Sequence, residues 1–346
     1  MIKVGIPAYH NTAHAGRGIG VYGTELTKRL RLLDDIEVVE FDSVDQVLDQ
    51  VDLIHFLHFD FFAKTLPARL RKPVVVTVPD VTPLVFPKHY PSGIKGKIKL
   101  FWQKNSLKKV ARVLTISEAS KSDITRYLGV SKDRIDVVYL GFSDRFKQIK
   151  NNQFLNEVKA KYKLPDRFAF YSGNVNWNKN IVNMASFCIE SGIDLVIVGK
   201  SFGKKENMDH PEMRSYKMFV ERFEGNPHIH VLGFVPDDDL VAILNQATVS
   251  LFISYYEGFG FPILEAQACG IPVITSKTSS MPEVAGKGAI LVDPNELFDT
   301  KNALEKIEKD EQFRHELVHA GFENIKRFNW QKCADETAQV YRDVLR

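Results

Sequence analysis

Glu257 and Glu265 bracket a loop of alternating glycine and phenylalanine that runs into a proline, in the stretch 255-YYEGFGFPILEAQACGIPVITS-276. Carboxylates suit polyols, because each oxygen accepts hydroxyl hydrogen bonds roughly twice as strong as neutral ones. Gly258 and Gly260, interleaved with Phe259 and Phe261, let the backbone approach a ligand closely. Amides at a helix start favour an anion such as phosphate. Pro262 fits a first helical turn, where its missing N–H costs nothing, and Gly270 suits the left-handed position that ends a helix. The expectation is a strand over 250–253, a ligand loop over 255–261 and a helix over 263–268 with Glu265 in its first turn. Glu265 can then accept hydrogen bonds from a diol such as ribose, while Glu257 faces whatever lies beyond the phosphate. The plainer reading is that Glu265 complements the helix dipole and the glycines make a turn.

Other residues invite similar weighing. Lys179 lies in a polar loop that also holds Asn174, Asn176 and Asn178. It can offer a point charge to phosphate, or simply be solvated. Gly18 and Gly20 fall between a first strand and a first helix, where a glycine pair either cradles phosphate or turns the chain. The aspartates of 236-PDDDL-240 imitate a metal-binding D-x-D, but Asp237 reads better as an N-cap with acidic first-turn companions. No cluster of His, Asp or Cys has ligand spacing, so no catalytic metal is expected. Residues 93–112 carry Lys95, Lys97, Lys99, Lys104, Lys108, Lys109 and Arg112 with no acid, beside Leu100, Phe101 and Trp102. Such a segment can dock an anionic membrane surface, or it can be a solvated helix.

The elements that must hold these residues alternate regularly. Apolar runs at 3–7, 37–41, 53–56, 74–78, 112–116 and 135–139 read as strands, with helical periods such as 20–33 and 117–128, the latter capped by Ser117. Residues 142–166 are polar and charged, and the rhythm restarts at 168–172, 194–198, 230–232, 250–253, 272–275 and 289–292. Strands alternating with helices imply parallel sheets covered on both faces. The fold class is therefore α/β, with two Rossmann-like parallel-sheet domains, 1–148 and 149–330, facing an interdomain cleft; the last helix, within 331–346, is expected to pack back on the first. The length of 346 residues suits two domains of about 150–180 residues each. A net charge of +3 does not point to nucleic acid, and three scattered cysteines form no disulfide framework. The opening MIKVGIPAYH reads as a strand and not as a secretory leader, and no apolar run approaches the roughly 20 residues of a membrane span. A cytoplasmic protein, at most peripheral at the inner face of a membrane, is expected.

Taken together, 257–265 resembles the E-x7-E signature of the retaining GT-B glycosyltransferases of family 4. So do 171-YSGNVNWNKN-180, 195-LVIVGK-200, 231-VLGFVPDDDL-240, 281-MPEVAGKGAILVDP-294 and 328-FNWQKCADETAQVYRDVL-345, with 16-GRGIGVYGTEL-26 and 112-RVLTISEASKSDI-124 in the first half. The resemblance implies transfer of a hexose from a UDP-, GDP- or other nucleotide-sugar donor to an acceptor hydroxyl on a glycan or lipid-linked glycan, with retention of configuration and no metal cofactor. It implies catalytic roles for Glu257, orienting the sugar, and Lys179, neutralising the diphosphate. It implies donor contacts for Gly18, Gly20, Gly173, Asn174, Val235, Gly258, Phe259, Gly260, Phe261 and Glu265, with the base near Phe234 and Val235. Many relatives add an arginine near Lys179, and here asparagines fill that loop. Many also carry His-Asp after the fourth strand, where this chain has Pro79 before Asp80; nearby His58 is a candidate substitute or a structural histidine. A GT-B nucleotide-sugar epimerase and a noncatalytic nucleotide-sugar-binding subunit are the alternatives.

Overall fold

A computed structural model of the chain describes residues 1–8, 18–67, 69, 71–203, 208 and 210–346. The chain divides into two compact units, Met1–Gly141 with Phe328–Arg346, and Phe142–Arg327. Residues 142–166 therefore all belong to the second unit.

The first unit is built on strands β1 (Ile2–Pro7), β2 (Ile36–Phe41), β3 (Leu53–Phe56), β4 (Val74–Thr77), β5 (Arg112–Thr115) and β6 (Ile135–Val137). They pair in parallel in the order β2-β1-β3-β4-β5-β6. Strands β3 and β4 are buried at every position, as expected of continuous Val/Ile/Leu runs covered on both faces. The helices are α1 (Gly18–Leu30), α2 (Val44–Val47), α3 (Thr82–Val85), α4 (Gly93–Leu107) and α5 (Glu118–Asp123), which continues as a π-helical turn over Ile124–Leu128. Ser117 caps α5, its Oγ accepting the Ser120 N–H at 3.1 Å. Gly129, at φ 71°, ends the π turn in the left-handed region that glycine tolerates.

The closing helix, Trp330–Leu345, packs on α1. Asn329 starts it, its Oδ1 accepting the N–H groups of Gln331 and Lys332 at 2.7 and 3.2 Å. Inside the unit the His55 ring meets the Tyr341 hydroxyl at 2.6 Å and the Thr77 hydroxyl at 2.8 Å, and Thr77 meets the Tyr22 hydroxyl at 3.0 Å. This buried chain of polar groups joins α1, β3, β4 and the closing helix. Burial lowers the His55 pKa to about 3, so the ring is neutral at ordinary pH.

The second unit repeats the plan with β7 (Phe168–Ser172), β8 (Asp194–Val198), β9 (Ile229–Gly233), β10 (Val249–Phe252), β11 (Val273–Ser276) and β12 (Ile290–Val292). Their parallel order is β12-β11-β10-β7-β8-β9. Its helices are α6 (Asn152–Tyr162), α7 (Ile181–Glu190), α8 (Arg214–Phe223), α9 (Asp237–Leu244), α10 (Phe261–Ala268), α11 (Met281–Ala285), α12 (Leu297–Lys309) and α13 (Glu311–Ile325). From β7 the chain winds outward through β8 and β9, then returns to the other side of β7 as β10. The switch of winding direction thus falls between β7 and β10, and ligands of open α/β sheets bind beyond the carboxyl ends of strands at such a point.

Candidate active site

The loops that leave β7 and β10 at this switch point are stitched together. Tyr255 donates its N–H to the Asn178 carbonyl at 2.8 Å, and Asn178 Nδ2 donates to the Tyr256 carbonyl at 2.8 Å. Asn180 Nδ2 reaches the carbonyls of Ile253 at 3.0 Å and Pro294 at 2.8 Å. Trp177 stacks on Tyr255 with ring centroids 4.8 Å apart. Asn180 holds φ 58°, a left-handed geometry that asparagine accepts more readily than most residues. A short 3-10 turn over Trp177–Lys179 then presents Lys179.

Lys179 and Glu257 meet across the two loops. Nζ lies 2.7 Å from Oε1 and 2.8 Å from Oε2, so the ammonium grips both carboxylate oxygens. The side chains are only 15% and 11% exposed. The Phe252 ring also lies 5.4 Å from Nζ. Taking two charges out of water is costly, and this geometry offsets the cost by mutual attraction. Removing either partner leaves the other desolvated and short of hydrogen bonds.

The Glu257 backbone is pinned from the turn that follows β11. Ser279 Oγ donates to the Glu257 carbonyl at 2.6 Å, and Ser280 Oγ reaches the carbonyls of Glu257 at 2.9 Å and Phe259 at 2.6 Å. Ser280 is fully buried, and Ser279 holds φ 56°, uncommon for a residue with a side chain. Beyond Glu257, Gly258 and Phe259 are buried, and Gly260 adopts φ 133° immediately before α10. A side chain at Gly260 would be strained by that backbone angle alone. Phe261 opens α10 and meets Phe259 edge-to-face at 5.4 Å.

Glu265 differs from the expectation. Because α10 begins at Phe261, it lies one turn into the helix, beyond the first turn where dipole compensation is strongest. The residue as a whole is half-buried, and desolvation of its carboxyl pushes the pKa up to about 7, against the pull of Arg145. The N-cap reading of Asp237 is also corrected. Pro236 holds the cap position, and Asp237 begins α9 with Asp238 and Asp239 in the first turn.

The other singled-out residues of this unit sit along the same carboxyl edge of the sheet. Gly173 follows β7, and its carbonyl lies so close to Gly199 that a Cβ there would come within 2.0 Å of it. Asn174 is exposed, its carbonyl accepting from Tyr171 Oη at 2.9 Å. Beyond β9, Val235 is buried, while Phe234 is exposed with Lys200 Nζ 4.8 Å from its ring. Gly18 and Gly20 belong to the first unit, in the first turn of α1; the residues before Gly18, 9–17, lie outside those described.

Residues 153–324 match the family model described as Glycosyl transferases group 1, and residues 17–145 match Glycosyltransferase Family 4. The O-antigen chain mannosyltransferase B of Escherichia coli is 30% identical over 94% of this chain and 96% of its own length. The chain belongs to the group 1 glycosyltransferases. It is therefore a glycosyl-transferring enzyme. Its fold is that of the GT-B glycosyltransferases. The structure of sucrose-phosphate synthase from Thermosynechococcus elongatus superposes with a TM-score of 0.77 at 17% identity, over 99% of both chains. Anabaena HepE, solved in complex with UDP-glucose, gives 0.74 at 17% identity, over 99% of this chain and all of that one.

In this glycosyltransferase the D-x-D look-alike is engaged elsewhere. Asp237 pairs with Arg145, and Asp239 takes Lys161 at 2.6 Å and the Tyr162 hydroxyl at 2.7 Å. In the first unit, Pro79 and Asp80 follow β4 and His58 follows the adjacent β3, so both loops leave neighbouring strands. Asp80 Oδ1 accepts the Thr82 N–H at 2.8 Å. Ser279, Ser280 and the tethering side chain of Asn180 were not singled out from sequence. The only signal of the two serines there is a polar run, 278-TSS-280, after a buried strand, and Asn180 closes the stretch 171-YSGNVNWNKN-180.

Proposed function

We propose that this glycosyltransferase moves a mannosyl unit from a nucleoside diphosphate donor to a hydroxyl of a glycan or lipid-linked glycan, with retention of configuration and without a metal. The observation that carries the reading is the Lys179–Glu257 pair at the switch point of the second sheet. Mannose is favoured by the relative of 30% identity that is named a mannosyltransferase. The relatives give no support to epimerisation or to noncatalytic binding. The proposed setting is the cytoplasm, at the inner face of the membrane, where a lipid-linked acceptor is met.

In the free chain Glu257 already satisfies the Lys179 ammonium. An arriving diphosphate takes over that ammonium and frees the carboxylate to accept hydrogen bonds from sugar hydroxyls. The site thus exchanges one neutralised pair for another and leaves no charge alone. The bond from the anomeric carbon to the diphosphate oxygen breaks while the acceptor oxygen bonds on the same face. The acceptor proton passes to the departing phosphate oxygen, leaving a glycoside and a nucleoside diphosphate. Lys179, the glycine-lined start of α10 and the residues Gly173, Asn174, Phe259 and Phe261 stabilise the leaving charge. Glu265 takes the ribose hydroxyls, and Val235 lies at the base. Metal independence is supported by the spending of Asp237 and Asp239 on Arg145, Lys161 and Tyr162.

The test is release of nucleoside diphosphate from GDP-mannose, UDP-glucose, ADP-glucose and dTDP-glucose in the presence of chelator, with the anomeric configuration of the product read by NMR. Turnover of GDP-mannose with an α-linked product is expected. An inverted product, an absolute need for added metal, or a new sugar epimer without transfer would each contradict the proposal.

A further inference from the structure

Helix α4 carries two apolar stripes on opposite sides. Gly96, Leu100, Gln103 and Leu107 recur at i, i+4, i+7 and i+11 and form the inner one. Gly96, Gln103 and Leu107 are buried, and Leu100 packs against the core cluster that includes Phe59 and Leu66. Gln103 Oε1 accepts the N–H groups of Thr65 and Leu66, each at 3.0 Å. The helix is thus fixed in rotation, and what it shows to water is determined.

That outer face is apolar. Ile94, Ile98, Phe101 and Trp102, at i, i+4, i+7 and i+8, are 81%, 54%, 61% and 64% exposed. Phe101 and Trp102 touch edge-to-face with centroids 5.8 Å apart, so the patch is continuous at its aromatic end. Its borders are basic on both sides. At 3.6 residues per turn, Lys95 and Lys99 fall on one flank, and Lys97 and Lys104 on the other. Lys108, Lys109 and Arg112 follow, and residues 93–112 contain no acid.

This pattern fits one partner chemistry. Protein–protein interfaces are depleted in lysine, whereas helices that lie in a lipid interface carry an apolar face bounded by Lys and Arg. A second copy of the same helix would set lysine against lysine. We propose that α4 docks on an anionic bilayer, with Ile94, Ile98, Phe101 and Trp102 entering the headgroup–acyl boundary and the four flanking lysines snorkelling to lipid phosphates. The contact lies in the plane of the membrane; among the described residues no helix is long and apolar enough to cross one. The inference does not rest on the transfer chemistry.

Sedimentation of the full chain with vesicles tests it. Binding is expected to vesicles of equimolar phosphatidylcholine and phosphatidylglycerol, weakening as salt rises, with a blue shift of Trp102 emission. Phosphatidylcholine vesicles should bind far less. Lys→Gln at positions 95, 97, 99 and 104 together should lower partitioning by about 10²- to 10³-fold, since each basic residue near such a surface contributes about five-fold. Ile94→Ser with Ile98→Ser, Phe101→Ser and Trp102→Ser should abolish binding. All these side chains except the partly buried Lys104 are exposed, so folding is expected to persist and is checked by circular dichroism and by nucleotide affinity. The proposal is overturned by absence of binding at low salt. It is equally overturned by binding that ignores the lysine variant, or by a dimer, lost in the serine variant, in place of vesicle association. Donor affinity measured on the same samples reports separately on the transfer site.

Discussion

Replacing Glu257 by glutamine should tighten nucleotide binding while stopping transfer. The ammonium of Lys179 donates two charge-assisted bonds, at 2.7 and 2.8 Å, to a carboxylate that is itself mostly buried. Glutamine offers one neutral acceptor in that space and no charge. Bonds to charged groups contribute about 1.5–3 kcal/mol net, so a diphosphate arriving at Glu257→Gln competes against that much less. At about 1.4 kcal/mol per decade, GDP or UDP should bind about 10- to 100-fold more tightly than to the parent chain. Turnover should nevertheless fall by about two orders of magnitude or more, the scale of losing a key transition-state contact. Lys179→Met should weaken both nucleotide binding and turnover. Isothermal titration with the free nucleoside diphosphates isolates the effect, because no sugar is present to miss Glu257. The reasoning is refuted if Glu257→Gln binds GDP or UDP no better than the parent, or loses affinity as Lys179→Met does.

Three further outcomes follow from the same geometry. With the Glu265 pKa raised to about 7, its ionised fraction rises between pH 6 and 8. If it accepts ribose hydrogen bonds, donor affinity should increase about ten-fold over that range, flattening in Glu265→Gln when measured by titration at several pH values. The His55 pKa, lowered to about 3 by burial, makes the unfolded chain the better proton binder below its own value near 6.5. Stability present above that value is lost as pH falls toward 3, by about 1.4 kcal/mol per pH unit, and urea unfolding should show this slope diminished in His55→Gln. Gly260→Ala, forced to φ 133°, should destabilise the second unit by about 1–3 kcal/mol and weaken donor binding, as read by thermal shift with and without GDP.

Much of the fold was legible because its strands are short, apolar and doubly covered. The runs at Leu53–Phe56, Phe168–Ser172 and Asp194–Val198 begin and end where they were expected, and the remaining nine differ by one or two residues at one or both ends. Helix α6 escaped notice because Val158 is its only fully buried side chain, so no apolar stripe marks Asn152–Tyr162. The misplacement of Glu265 came from starting α10 after Pro262. Proline is tolerated throughout the first turn, whose N–H groups have no intrahelical partner, and here Phe261 precedes it. The asymmetry of 93–112 was plain in the sequence, but its two opposed stripes read as one undivided apolar content until the buried side was known. Within the site, Lys179 and Glu257 were visible as residue types in loops after strands. Their direct pairing was not, because 78 positions separate them and only the return of β10 beside β7 brings the loops together. Ser279 and Ser280 act through backbone carbonyls, a role that residue type does not advertise.

The central claim is that Lys179 and Glu257 hold an activated sugar between them. A crystal structure with a nonhydrolysable GDP-mannose analogue tests it most directly. The account predicts a diphosphate oxygen within hydrogen-bond distance of Lys179 Nζ, and a mannose hydroxyl taking the place of Lys179 on Glu257. A donor bound with the Lys179–Glu257 pair still closed, its diphosphate held by other residues, would contradict it.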